Sequence, residues 1–141
     1  MLPTTPVADA KTATTTTIEA IDSVEKDYGP ISDTKNVKRY VEDKFADKPI
    51  LISIAKCESQ YRQYDKNGNV LRGIENNLDV GVMQINEKYH LKDSKKLGYD
   101  IYTIEGNTAY AEYLYDKQGA KPWMSSSPCW AKYTQKEIAK R

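Results

Sequence analysis

Residues 49–59 read Pro-Ile-Leu-Ile-Ser-Ile-Ala-Lys-Cys-Glu-Ser. Leu51, Ile54, Ala55 and Glu58 fall at i, i+3, i+4 and i+7, so a helix puts all four on one face. Asp47 offers a side-chain cap for its start, and Pro49 needs no donor in a first turn. The apolar members of that face must pack inward, which carries the Glu58 carboxylate toward the core. The alternative is an amphipathic helix whose last turn has already reached water. A carboxyl held against apolar packing holds its proton more tightly than usual, which makes Glu58 the first candidate for chemistry.

Toward the N-terminus, Val37, Tyr40, Val41 and Phe45 predict a second amphipathic segment ending before Pro49. Ile18, Ile21, Val24 and Tyr28 predict a short helix stopped at Gly29-Pro30. Residues 1–17 contain two prolines and seven threonines; they bury too little apolar surface to offset ordering entropy and read as a flexible linker. The chain thus divides into a linker at 1–17, N-terminal helices at 18–46, a main domain at 47–132 and a charged tail at 133–141.

Toward the C-terminus, Asn67-Gly68 between short extended pieces predicts a small β-hairpin over 64–72. Asp65, Asn67 and Asn69 imitate the start of a calcium loop, but the glycine comes two positions early and Asn76 replaces the closing Glu, so calcium is discounted. Glu87 to Leu97 reads as a polar helix closed by Gly98. Thr103 to Gln118 reads as a longer one, capped by Thr103 and stopped by Gly119. The fold class is mainly α, in the α+β sense, with no internal repeat.

Composition narrows the function. The 141 residues suffice for one compact domain. Twenty-one basic against twenty acidic side chains leave no broad field for nucleic acid. No apolar run approaches membrane-spanning length, and no export segment follows Met1, which can stand where a leader was removed. Nine of eleven tyrosines follow residue 60; such rings stack on pyranose faces, though each is as ordinary in packing. His90, the single histidine, has no partner at ligand spacing, and Cys57 and Cys129 are too few for a zinc cage. Spacing leaves open whether the two cysteines pair or stay reduced and buried. If they pair, the compartment is oxidising.

Three segments taken together carry a resemblance: Ile54-Ala-Lys-Cys-Glu-Ser59, Gly81-Val-Met-Gln-Ile-Asn86 and Glu105-Gly-Asn-Thr-Ala-Tyr-Ala-Glu-Tyr-Leu114. In order and spacing they resemble the lytic transglycosylase and goose-type lysozyme group. There a helix ends in Glu-Ser, a Gly-x-Met-Gln segment follows a small β region, and an Asn-containing helix ends in Tyr-Leu. The Cys-Glu-Ser variant and the closing Pro122-Trp-Met-Ser-Ser-Ser-Pro-Cys-Trp130 also look like the resuscitation-promoting-factor branch. The resemblance covers roughly residues 47–130. It lacks the late Tyr-Asn-x-Gly element that lines the cleft in many transglycosylases.

The resemblance implies a lysozyme-like helical domain with the β-hairpin beside an active-site cleft, and a Cys57–Cys129 disulfide. It implies Glu58 as the catalytic acid and base, with Ser59 at the cleft edge near it. Met83 and Gln84 would line a glycan groove, faced by Asn107 and Tyr113. Asn86 could instead cap the helix that begins beside it. Ordinary glycosidases add a second carboxylate; Asp65, Glu75 and Asp79 lie in the predicted β region, with Asp79 and Glu75 the candidates. The expected partner is peptidoglycan glycan, cleaved by a monomer outside the cytoplasm, with no cofactor or metal. A hydrolytic muramidase, a glycan-binding module without turnover, and an unrelated helical interaction domain are the competing readings.

Overall fold

The computed structural model describes the backbone of residues 23–140 and the side chains of 23–133. The linker expected at 1–17, with Ile18 and Ile21 of the first helix, lies outside the described residues. The chain is mainly helical with one small antiparallel sheet. In order it runs through α1 (23–28), α2 (Thr34–Lys44), α3 (Pro49–Ser59), β1 (Asp79–Val80), β2 (Ile85–Asn86), α4 (Glu87–Lys96) and α5 (Ile104–Gln118). It closes with a 3-10 helix η1 (Lys121–Ser126) and α6 (Ser127–Lys140).

Local chemistry explains most boundaries. Gly29 adopts φ +91°, a conformation that side chains disfavour, and its N–H returns to the Glu25 carbonyl to end α1. Asp33 caps α2 by accepting from the Lys35 N–H, and Val37, Tyr40, Val41 and Phe45 are buried beneath it. Asn86 accepts from the Tyr89 N–H to start α4, and Thr103 accepts from the Gly106 N–H to start α5. The Thr103 cap was read from the sequence, and the Asn86 cap is the alternative role given there for that residue.

In α3, Leu51, Ile54 and Ala55 are fully buried, and the helix packs on α2, η1 and above all α6. Its start corrects the sequence reading: Lys48, not Asp47, is the N-cap, and it makes no side-chain cap bond. The Asp47 carboxylate turns outward to Lys48 Nζ at 3.4 Å. Pro49 occupies the first turn, where its missing donor costs nothing.

The β region is also displaced from its expected place. Residues 64–72 form only an isolated bridge between Tyr64 and Val70, and Arg72 bridges to Val80. The paired strands are β1 and β2, in register Asp79 with Asn86 and Val80 with Ile85, so the Gly81-Val-Met-Gln84 segment is their connection. At 64–72 the Asp65 carboxylate takes the Asn67 and Asn69 N–H groups and builds a tight turn rather than a ladder. The backbone of α6 continues to Lys140, through most of the charged segment read at 133–141.

Candidate active site

Glu58 lies in the last turn of α3, where the chain reverses through two consecutive left-handed residues, Gln60 (φ 55°) and Tyr61 (φ 62°). Ser59 organises that reversal. Its Oγ donates to the Ala55 carbonyl at 3.1 Å and accepts from the Arg62 N–H at 3.2 Å, while the side chain is 1 % exposed. Ser59 therefore faces its own backbone rather than the cleft edge, and makes no hydrogen bond to Glu58.

The β1–β2 connection forms the neighbouring wall, held by two buried amides. Gln63 Oε1 accepts from the Val82 N–H at 2.8 Å, and its Nε2 donates to the Tyr102 carbonyl. Asn107 Oδ1 accepts from the Met83 N–H at 2.9 Å, while its Nδ2 donates to the Val80 and Ile101 carbonyls. Both amides are completely buried with donors and acceptors occupied, so Asn107 has no atom left for a sugar. Met83 is likewise buried in the core, with its carbonyl accepting from Trp123 Nε1 at 2.8 Å. Gln84 differs: at φ 51° its side chain is half-exposed on the groove, its Nε2 resting on the Gly81 carbonyl. Tyr113 packs against Tyr110, with its hydroxyl accepting from Lys117 Nζ, away from both cavities that Glu58 lines. From α5 it is Leu114 and Gln118 that line the groove.

The segment η1 brings in a residue that the sequence reading missed. Ser126 Oγ donates to Glu58 Oε2 at 2.5 Å and also lies 3.0 Å from the Trp123 carbonyl. A hydroxyl has one proton, and an ionised carboxylate takes the stronger hydrogen bond, so charging Glu58 draws that proton to Oε2. Oε1 has no hydrogen-bond partner among the described residues, and no buried side-chain oxygen there is left unpaired, so Oε1 opens onto the groove. The Cys57–Cys129 disulfide, with Cα atoms 6.0 Å apart, ties the end of α3 to the start of α6 directly behind this contact.

Two cavities, of about 430 and 400 Å³, meet at Glu58 and share Asp79, Gln84 and Ser125. The first runs past the exposed Tyr89 ring, His90 and Lys121, and the second past Arg62, Arg72 and Ile74. Burial pushes the Glu58 carboxyl above the usual carboxylate range; the Ser126 bond opposes that shift, and the nearby Asp79 charge adds to it. Asp79 borders both cavities, with its Oδ1 accepting from Asn86 Nδ2 at 2.9 Å. Glu75 is exposed on the rim of the second cavity. Asp65 lines neither of the two, because it is held in its own turn.

A carboxyl with a raised pKa, one oxygen fixed and the other open where two grooves join, can donate a proton to a ligand lying across both and recover one afterwards. Comparison with protein-family models, curated proteins and solved structures finds no match to the chain. Among the described residues no helix is long and apolar enough to cross a membrane.

Proposed function

We propose that the chain is a peptidoglycan lytic transglycosylase with a lysozyme-like catalytic domain, cleaving the β-1,4 bond between N-acetylmuramic acid and N-acetylglucosamine. The observation that carries this reading is the open Oε1 of a half-buried Glu58 at the junction of two grooves. A strand lying along both grooves presents its glycosidic oxygen to that atom, with sugars on either side. The three sequence segments that resemble the transglycosylase and goose-type lysozyme group support the same reaction.

In this reaction the protonated Glu58 gives its proton to the glycosidic oxygen as the bond from muramic C1 breaks. The substrate's N-acetyl oxygen stabilises the electron-poor C1. The Glu58 carboxylate then removes the proton of the muramic C6 hydroxyl as that oxygen closes onto C1, so a 1,6-anhydro end forms without water. The raised affinity of Glu58 for its proton suits the first step. The Ser126 bond, favouring the charged form, suits the second.

Asp79, on both grooves, keeps a hydrolytic muramidase as the second reading, in which a second carboxylate helps water to attack. The disulfide fits an oxidising compartment outside the cytoplasm. Mass spectrometry of digested peptidoglycan tests both: anhydro ends support transglycosylation and reducing ends support hydrolysis. Glu58→Gln is expected to yield neither. Undiminished cleavage by a correctly folded Glu58→Gln protein overturns both, and tight glycan binding without any cleavage by the wild type points to a binding module.

A further inference from the structure

The second groove carries an arginine, Arg62, that forms no ion pair with any carboxylate among the described residues. Arg62 Nε donates to the Ser59 carbonyl at 2.9 Å, and the Arg62 N–H is held by Ser59 Oγ, so the base of the side chain is fixed. Arg72, the other cation on this groove, bonds Glu87 at 2.8 Å and the Asn77 carbonyl. With Nε occupied, the free edge of the Arg62 guanidinium is its Nη pair, a fork that matches the two oxygens of a carboxylate. Glu58, Glu75 and Asp79 also line this groove. Beside these acidic side chains Arg62 is the lining cation that is not already paired with a described carboxylate, so an anionic group entering this groove is best met there. Ile74, 99 % exposed, stands on the same groove as an apolar contact.

We propose that Arg62 and Ile74 form a subsite for the peptide stem of the muramic acid residue, with Arg62 clamping a stem carboxylate and Ile74 meeting its alanyl methyl groups. The inference rests on the transglycosylase reading, because there the muramic unit lies against Glu58 and its stem projects from the same groove. It also fixes the direction of the strand: the stem-bearing muramic unit occupies the Arg62 groove, and the departing N-acetylglucosamine occupies the groove lined by Tyr89 and Lys121.

The test compares initial cleavage rates on stem-bearing glycan strands and on strands stripped of stems by an amidase, with the lactyl carboxylate that the amidase exposes then capped as its methyl amide. Wild-type protein is expected to favour the stem-bearing strands about tenfold, the scale of one charge-assisted bidentate contact. Arg62→Ala is expected to bring that ratio close to one. Arg62→Lys keeps the charge without the fork and should fall between, and it also shows whether loss of the Ser59 contact alone lowers the rate. Esterifying the stem carboxylates should remove the wild-type preference. A wild-type preference that survives in thermally stable Arg62→Ala, or its absence from the wild type, overturns the subsite and leaves strand cleavage standing. Failure of the wild type to cut either strand overturns the transglycosylase reading itself.

Discussion

A carboxyl group that serves as an acid before bond cleavage and as a base after it needs neighbours that oppose one another. At Glu58 burial favours the proton and Ser126 favours its loss. In Ser126→Ala the second influence is gone, so the Glu58 pKa rises further. In the proposed transglycosylase reaction the protonated form acts first, so the alkaline limb of the kcat/KM–pH profile should move to higher pH, with the rate falling about tenfold for want of orientation. An unmoved limb separates Ser126 from the proton chemistry. Stability follows the same shift: a carboxyl whose pKa is raised on folding contributes stability below its unfolded pKa that is lost as pH rises through the folded one. Glu58→Gln does not titrate, so its Tm should gain on the wild type as pH climbs through that window, as thermal melts at several pH values would reveal. Glu58 was legible because the periodicity of 51–58 set it on an apolar face. Ser126 was not, because its role depends on a contact 68 positions away and nothing local distinguishes it from Ser125 or Ser127. Ser59, Met83 and Asn107 were found as motif members, but their motif positions could not separate side chains that build the wall from those that face the groove.

Elements bounded by a side-chain cap at one end and a glycine at the other, such as α4 and α5, were readable nearly to the residue. The strands were not. Two-residue strands carry no alternation to detect, and Asn67-Gly68 drew attention to a turn that Asp65 closes without a ladder. The β1–β2 connection depends on the long-range amides of Gln63 and Asn107. Asn107→Ala leaves buried partners at Met83, Val80 and Ile101 unsatisfied, which should destabilise by about 3 kcal/mol in chemical denaturation. Gly81 sits at φ +77°, and a Cβ there would meet Asn107 Nδ2 at 2.4 Å. Gly81→Ala should thus lower stability by roughly 2 kcal/mol or more. A variant with wild-type stability at either position contradicts this account of the wall.

The whole molecule closes its groove by a path that leaves η1 late in the chain yet against the end of α3. Trp123 binds the Met83 carbonyl, Trp130 binds the Trp123 carbonyl, and the disulfide joins 57 to 129. Replacing both cysteines by serine should cost about 4 kcal/mol on the loop-entropy account of a 72-residue closure. It should also lower activity by more than the unfolded fraction, since Ser126 would lose its anchor; a paired melt and rate assay separates the two effects. The most direct measurement is digestion of purified glycan strands in heavy-oxygen water, with wild-type and Glu58→Gln proteins side by side. New anhydro ends without heavy oxygen, formed only by the wild type, are the predicted result. Equal cleavage by Glu58→Gln, or heavy oxygen at every new end, would contradict a single carboxyl that gives a proton and takes it back.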